Sequence, residues 1–275
     1  MKSFKVLLIS KIMNSLGLND FGIFINKVLY RNNYIRAINY HSTPEDFMSQ
    51  FEKQLKYYSE HYYSVSKEEL EDFLKGNWNK DKPGLIISFD DGLESNYKYA
   101  KPLLEKYGFK GWFFIPTGLI ETGNCKSEHL TGQTSESYMN WEQVRELNKG
   151  HIIGSHTVTH RRLKKGLDKQ TLKEEVGGSK LYLEKMVRGD IDVFCWVGGE
   201  SGSYSKEASE IIKMSDYKFS FLTNHYPILM NNNPFQLERT NIEANWPIHL
   251  IKFYTSSFMD FRYRKKRNKI KKLLD

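Results

Sequence analysis

The sequence predicts an α/β fold in which parallel strands, buried on both faces, alternate with helices. Runs such as Gly84-Leu85-Ile86-Ile87-Ser88-Phe89 and Trp112-Phe113-Phe114-Ile115 are continuously apolar, as strands covered on both faces are. Stretches with apolar residues three and four apart fall between them and read as helices. This alternation persists through most of the 275 residues, which suits a single α/β domain. The pattern does not choose between an open sheet and a barrel.

Residues 4–30 read as helix, with Leu7, Leu8, Ile12, Met13 and Leu16, then Phe21, Ile23, Phe24, Ile25, Val28 and Leu29, near helical spacing and an interruption around Gly17 to Gly22. A first strand over 35–40 ends at His41. Phe47, Phe51, Leu55 and Tyr58 share one face of a helix over 47–60. A short strand at 63–65 precedes Ser66-Lys67-Glu68-Glu69, a capping box that opens a helix running to Leu74. The strand at 84–89 ends in Asp90-Asp91-Gly92, and a helix over 96–107 is stopped by Gly108. Further strands are expected at 112–116, 151–156, 193–197, 219–223 and 236–242, and helices at 141–148, 168–186 and 205–214. No internal repeat is present.

Composition narrows the function classes. Hydrophobic residues make up 39% and charged residues 27%, ordinary for a globular domain. Aromatics reach 14%, which fits a Tyr-rich core and also sugar-stacking walls. Residues 1–36 carry a net +5 and 261–275 a net +7, which leaves 37–260 at about −4. Basic ends on a mildly acidic body do not favour a nucleic-acid partner. The two cysteines, Cys125 and Cys195, are too few for a disulfide framework, and neither has a partner at metal-ligand spacing. No apolar run is long enough to cross a bilayer, and Val6 to Ile9 is too short for the apolar region of a signal peptide. The expected location is cytoplasmic, with the two ends as candidates for peripheral contact with an anionic membrane face.

Polar residues directly after buried strands mark the rim where α/β proteins place active sites. Asp90 and Asp91 are adjacent carboxylates at one such position, and they repel each other unless a cation or proton separates their roles. His156 and His160 follow another strand; four residues apart, they share a face if the segment is helical, and both can then reach one metal. One carboxylate and two imidazoles leave a coordination position open for water or substrate, and the second carboxylate is free to act as a base. A loop bearing two solvated histidines and an ordinary Asp-Asp-Gly turn are the bland alternatives for each signal taken alone.

Ser-Phe-Asp-Asp-Gly at 88–92 and His-Thr-Val-Thr-His at 156–160 resemble the two signature motifs of the polysaccharide deacetylases, carbohydrate esterase family four with its NodB-homology domain. Tyr40-His41, residues 51–55 and 141–147, and the helix over 174–184 extend the resemblance across roughly 37–240. It implies a distorted (β/α) barrel of parallel strands, an acetylated saccharide substrate and one divalent metal, zinc first and cobalt or nickel otherwise. Carried over, Asp90 is the catalytic base and Asp91, His156 and His160 are the metal ligands. The family's third motif is altered: Phe194-Cys195-Trp196-Val197-Gly198-Gly199 lacks the arginine that would hold the base. Gly198 can still offer a backbone N–H to an oxyanion, and Trp196 lines the pocket or sits in the core. The usual late Leu-x-His is not evident, so His225 and His249 are candidates for the general acid, with His41 a third. His41 and Arg239 are also candidates for substrate contact.

The expected organisation is an amphipathic helical extension over 1–36, the deacetylase domain over 37–260 and a basic tail over 261–275. Two other functions compete with sugar deacetylation. One is a small-molecule amide hydrolase or deformylase of the same superfamily. The other is a glycan-binding protein that has lost catalysis.

Overall fold

The computed structural model describes residues 4–122 and 136–274; Cys125 lies outside them. Strands β1 (Ile35–Tyr40), β2 (Tyr63–Ser64), β3 (Gly84–Phe89), β4 (Gly111–Ile115), β5 (Ile152–Ser155), β6 (Val193–Cys195), β7 (Phe219–Leu222), β8 (Leu237–Glu238) and β9 (Thr240–Asn241) form one sheet. Its order is β8-β7-β6-β5-β4-β3-β1-β9, with β2 also paired to β3, and every strand pair is parallel. The two outermost strands, β8 and β9, are separated in sequence by Arg239 alone. The sheet is therefore nearly closed as a barrel with helices around it, and the strand expected over 236–242 is two short pieces paired to opposite edges.

Along each strand the side chains alternate between two cores. Ile35, Ala37, Ile86, Trp112, Phe114, Val193, Phe219 and Phe221 fill the barrel interior. Ile38, Tyr40, Ile87, Phe89, Phe113, Ile115, Phe194 and Trp196 face the helical layer. Continuous apolar text results because both faces are covered. Extending the interior set by one more step of two brings Asn39, Ser88 and Cys195 to its upper end, where the packing turns polar. All three are buried.

The helices are α1 (Phe4–Ser15), α2 (Leu18–Tyr30), α3 (Met48–His61), α4 (Lys67–Leu74), α5 (Lys101–Lys106), α6 (Thr117–Thr122), α7 (Trp141–Leu147), α8 (Lys169–Lys173), α9 (Ser179–Val187), α10 (Lys206–Met214), α11 (Ile248–Thr255), α12 (Ser257–Arg262) and α13 (Arg264–Leu274). The expected N-terminal helix is two, because Gly17 takes φ +70°, a left-handed conformation that ends a helix cheaply only at glycine. The Ser66–Glu69 capping box forms as expected at the start of α4. The helix expected over 168–186 is interrupted by a π turn at Glu174–Gly178.

Both ends belong to the packed body. Arg36, on β1 and fully buried, donates to Asp260 at 2.7 and 2.9 Å and to the Thr255 carbonyl at 3.0 Å. A boundary after residue 36 falls inside β1. The expected basic tail is α13, whose Ile270 and Leu274 are buried.

Close packing leaves little room at the lower end of the barrel. A Cβ on Gly84 would sit 2.6 Å from Val65 Cγ2 and 2.8 Å from Ile35 Cγ1. Gly84→Ala is expected to cost about 1–3 kcal/mol, read as a lower urea midpoint with an unchanged slope.

Candidate active site

The upper rim of the barrel opens into a cleft of 810 Å³. His41, Asp90, Asp91, His156, His160 and Gly198, six of the ten residues named from sequence, line it together. Asp90 follows β3, and its backbone N–H donates to the Tyr40 carbonyl at 3.0 Å, continuing the β1–β3 ladder by one step. That step aims the side chain along the interior face. Its carboxylate accepts from Arg239 Nη1 at 2.7 Å and Nη2 at 2.9 Å, and from Asn39 Nδ2 at 3.0 Å. Burial acts to raise the Asp90 pKa, but the Arg239 guanidinium together with His156 and His41 outweighs it, and the carboxyl is held below its usual range.

Asp91 turns the chain with φ +70°, a conformation that costs a non-glycine residue about 1 kcal/mol or more. The turn carries its carboxylate to the other wall, where Oδ1 lies 3.0 Å from His160 Nε2 and 3.6 Å from His156 Nε2. That Oδ1 is buried and accepts no well-formed hydrogen bond among the described residues. His156 Nδ1 lies 2.9 Å from the Cys195 carbonyl, which fixes the ring and turns Nε2 toward Asp91. One ligand atom from each of Asp91, His156 and His160 lies within 4.8 Å of the others.

The segment 156–160 is not helical, so a helix face is not what brings the two histidines together. It is a tight bend with φ +67° at Thr157 and +57° at His160. The bend is braced by Glu175, a buried carboxylate from the π turn. It accepts from Val158 N at 3.0 Å, Thr159 N at 2.9 Å and Thr159 Oγ1 at 2.6 Å. Three hydrogen bonds to one charged group offset the strain of the two left-handed residues.

A second set, Asp90, His156 and Cys195, is equally close. It is a poorer cation site, because Arg239 already occupies both Asp90 oxygens and its Nη2 sits 2.8 Å from Cys195 Sγ. Burial pushes the Cys195 thiol up against the opposing pull of Arg239, so the sulfur stays protonated at neutral pH. A divalent ion there would meet a fixed positive charge at contact distance.

The remaining sequence-predicted residues lie elsewhere. Arg239 does not line the cleft: it is fully buried, its guanidinium 5.1 Å from the Phe114 ring centroid and bonded to Asp90, Asn39 and Ser88. It supplies from the β8–β9 junction the arginine that the third motif lacks. Trp196 is a core residue, 1% exposed, donating to Ser220 Oγ at 2.8 Å, because its neighbour Cys195 takes the inward position. His225 is buried outside the cleft, stacked on Tyr263 with centroids 4.2 Å apart. His249 sits on α11, its Nδ1 3.1 Å from Ser10 Oγ of α1. Sequence reasoning missed Asn39, Ser88 and Cys195, which counting by two along each strand points to, and Glu175, which no local pattern marks.

Beside Arg239, the half-buried Glu238 has its carboxyl pushed up to about 7 by burial, and its Oε2 has no hydrogen-bond partner among the described residues. Its ordinary value is 4.5, so the folded state holds this proton more tightly. Stability from this group is full below about pH 4.5 and is lost as pH rises through about 7. Glu238→Gln is expected to raise the melting temperature at about pH 8 and to change it little at about pH 4.5, as measured by scanning calorimetry.

A family model described as polysaccharide deacetylase matches residues 77–220, more than half of the chain, and the chain belongs to that family. The matched stretch contains Asp90, Asp91, His156, His160 and Cys195 but not His41 or Arg239. The Bacillus subtilis (strain 168) protein YxkH is 25% identical over 195 residues, 70% of this chain and 64% of that one. The poly-beta-1,6-N-acetyl-D-glucosamine N-deacetylase of Staphylococcus aureus (strain MRSA252) is 25% identical over 235 residues, 83% of this chain and 77% of that protein. The structure of Streptococcus pyogenes deacetylase PplD in complex with acetate superposes with a TM-score of 0.68 at 25% identity, covering 81% of this chain and 98% of that one.

Proposed function

We propose that the chain hydrolyses N-acetyl or O-acetyl groups of a saccharide, with Asp90 as the base and Asp91, His156 and His160 holding one divalent cation. Zinc is the first candidate, cobalt and nickel the others. The observation that supports it most is the convergence of two imidazole nitrogens on a buried Asp91 oxygen that accepts no well-formed hydrogen bond among the described residues. Two imidazoles and a carboxylate suit these metals and leave a position open. A cation bound there would polarise the acetyl carbonyl and acidify nearby water.

The chain's own groups supply the rest. Asp90, ionised by its pairing with Arg239, takes the proton of a water as its oxygen attacks the acetyl carbon. The backbone N–H of Gly198, at φ +81° in the cleft wall, is a donor for the developing oxyanion. A side chain there would meet Ser203 Oγ at 2.7 Å and Arg162 Nε at 2.8 Å, so glycine keeps that wall open. His41, at the end of β1, is the one of the three acid candidates that lines the cleft. It donates a proton to the amine or alcohol as its bond to the acetyl carbon breaks, leaving acetate. His41→Gln is expected to lower kcat by about 100-fold while bound metal stays unchanged; an unaltered kcat assigns the proton to another group.

An open cleft of this size favours a saccharide over a small amide in a closed pocket. Among the described residues its walls hold Arg161, Arg162, Lys164 and Glu200 but no Tyr, Trp or Phe, so recognition is polar rather than by ring stacking. The named substrate of the Staphylococcus aureus relative makes β-1,6-linked N-acetylglucosamine oligomers the first compounds to try. Acetate release from them by the zinc-loaded protein is the test. Binding without acetate release would favour a glycan-binding protein, and formate release from formylated amides the deformylase.

A further inference from the structure

The N-terminal helices are packed inside out. In α2 the buried residues are Asn19, Gly22, Ile23 and Asn26, while Phe21, Phe24, Val28 and Leu29 are 54%, 57%, 59% and 64% exposed. In α1 the one buried residue among those whose burial is described is Ser10, and Leu8, Ile9 and Ile12, with Leu16 just beyond the helix, are exposed. Beside buried Ile23 and the partly buried Val6 and Met13, the inward contacts include polar ones: Asn19 donates to the Ser10 and His249 carbonyls at 3.0 and 3.1 Å, and Asn26 to the Thr255 carbonyl at 3.3 Å. A water-facing helix shows the reverse pattern, whereas small and polar residues facing protein with large apolar residues outward is the arrangement of helices that face lipid. At 12 and 13 residues the helices are ~18–20 Å long, short of the ~30 Å a span requires, and no helix of the described residues can cross a membrane.

The charge around this face completes the case. α1 and α2 carry Lys5, Lys11 and Lys27 against Asp20, which is itself held by Lys252 at 2.7 Å. Residues 262–272 hold eight Lys and Arg and no carboxylate. A groove of 780 Å³ joins the two regions, lined by Leu29, Phe258 and Phe261 beside Arg264 and Lys271. The groove's carboxylates are Glu238 and Asp260, the latter paired with Arg36, so cations outnumber free acids around it, and apolar side chains with such a rim match acyl chains beneath anionic headgroups. We propose that this face docks in the interfacial layer of a bilayer containing anionic phospholipids, with α1 and α2 lying in its plane and α13 against the headgroups. The cleft stays free, because the groove shares no residue with it, yet it is close: Lys266 of α13 donates to the carbonyl of Thr223, a cleft wall, at 3.4 Å.

The test is flotation of the full chain with vesicles of phosphatidylcholine alone and with phosphatidylglycerol added. The wild type should float with the mixed vesicles. Joint replacement Phe24→Ser, Leu29→Ser and Phe261→Ser should cut binding at least ~tenfold without lowering acetate release from a soluble acetylated oligosaccharide. Replacing Arg264, Lys269 and Lys271 with Gln should cost roughly fivefold per cation on mixed vesicles only. A wild type that never floats, or an apolar variant that floats equally well, overturns the proposal. So does a dimer in solution that the apolar replacements dissolve without any vesicle binding, which would assign the face to a second copy. Sedimentation velocity of both proteins reads that outcome. Failure here leaves the deacetylase reading standing, since acetate release is measured separately.

Discussion

Replacing Arg239 with methionine is expected to destabilise the fold by about 3–5 kcal/mol and to abolish most acetate release. Arg239 is wholly buried, and both Asp90 oxygens, Asn39 Oδ1 and Ser88 Oγ accept from it at 2.7–3.0 Å. Methionine fills much of the volume but leaves a buried carboxylate without its partner, and stranding one charge costs far more than losing an exposed pair. The double variant Arg239→Met, Asp90→Asn separates structure from chemistry. Removing both charges should recover most of the lost stability in urea denaturation, because no uncompensated ion remains. Acetate release should stay at background, because the base is gone. Recovery of neither quantity would show that Arg239 acts mainly by packing against Phe114, 5.1 Å away.

This arginine also shows where the sequence was legible and where it was not. The alternation of apolar strands and amphipathic helices is a local property, written within ten or so residues, and it yielded the parallel α/β class. Asp90, Asp91, His156 and His160 were legible because Asp90 and His156 directly follow buried strands and the two pairs are compact. Arg239 was visible as a candidate but not in its role. It reaches Asp90 from 149 residues away, and only closure of the sheet between β8 and β9 brings it there. Trp196 was ambiguous for a related reason. A strand that is apolar on both faces hides its phase, and inward Cys195 forces Trp196 outward. The bend at 156–160 resisted reading because Glu175, which holds it, belongs to a helix interrupted by a π turn. The charge density of 261–275 hides the apolar spacing of Ile270 and Leu274, the two buried residues of α13.

Asp90 and Asp91 are neighbours in sequence, and substituting them singly should give opposite results for metal and similar results for catalysis. Asp91→Ala is expected to lose the bound cation, from about one per chain in the zinc-loaded wild type to none, together with the rise in melting temperature that a ligand specific for the folded state produces. Asp90→Asn should keep the metal and that rise, while kcat falls by about 10²–10⁴-fold. The split follows from geometry. Asp91 Oδ1 lies 3.0 Å and 3.6 Å from two imidazole nitrogens and accepts no well-formed hydrogen bond among the described residues, whereas both oxygens of Asp90 are taken by Arg239. Metal analysis of the two proteins by mass spectrometry, read beside calorimetry with and without zinc, decides it. If instead Asp90→Asn empties the site and Asp91→Ala does not, the cation belongs to Asp90, His156 and Cys195, and the charge argument against that set is wrong. A carboxylate held by a guanidinium is a poor ligand and an ionised base, whereas one facing only two imidazoles is open to a cation, so on the proposed assignment the placement of a single arginine would divide the work between two adjacent aspartates.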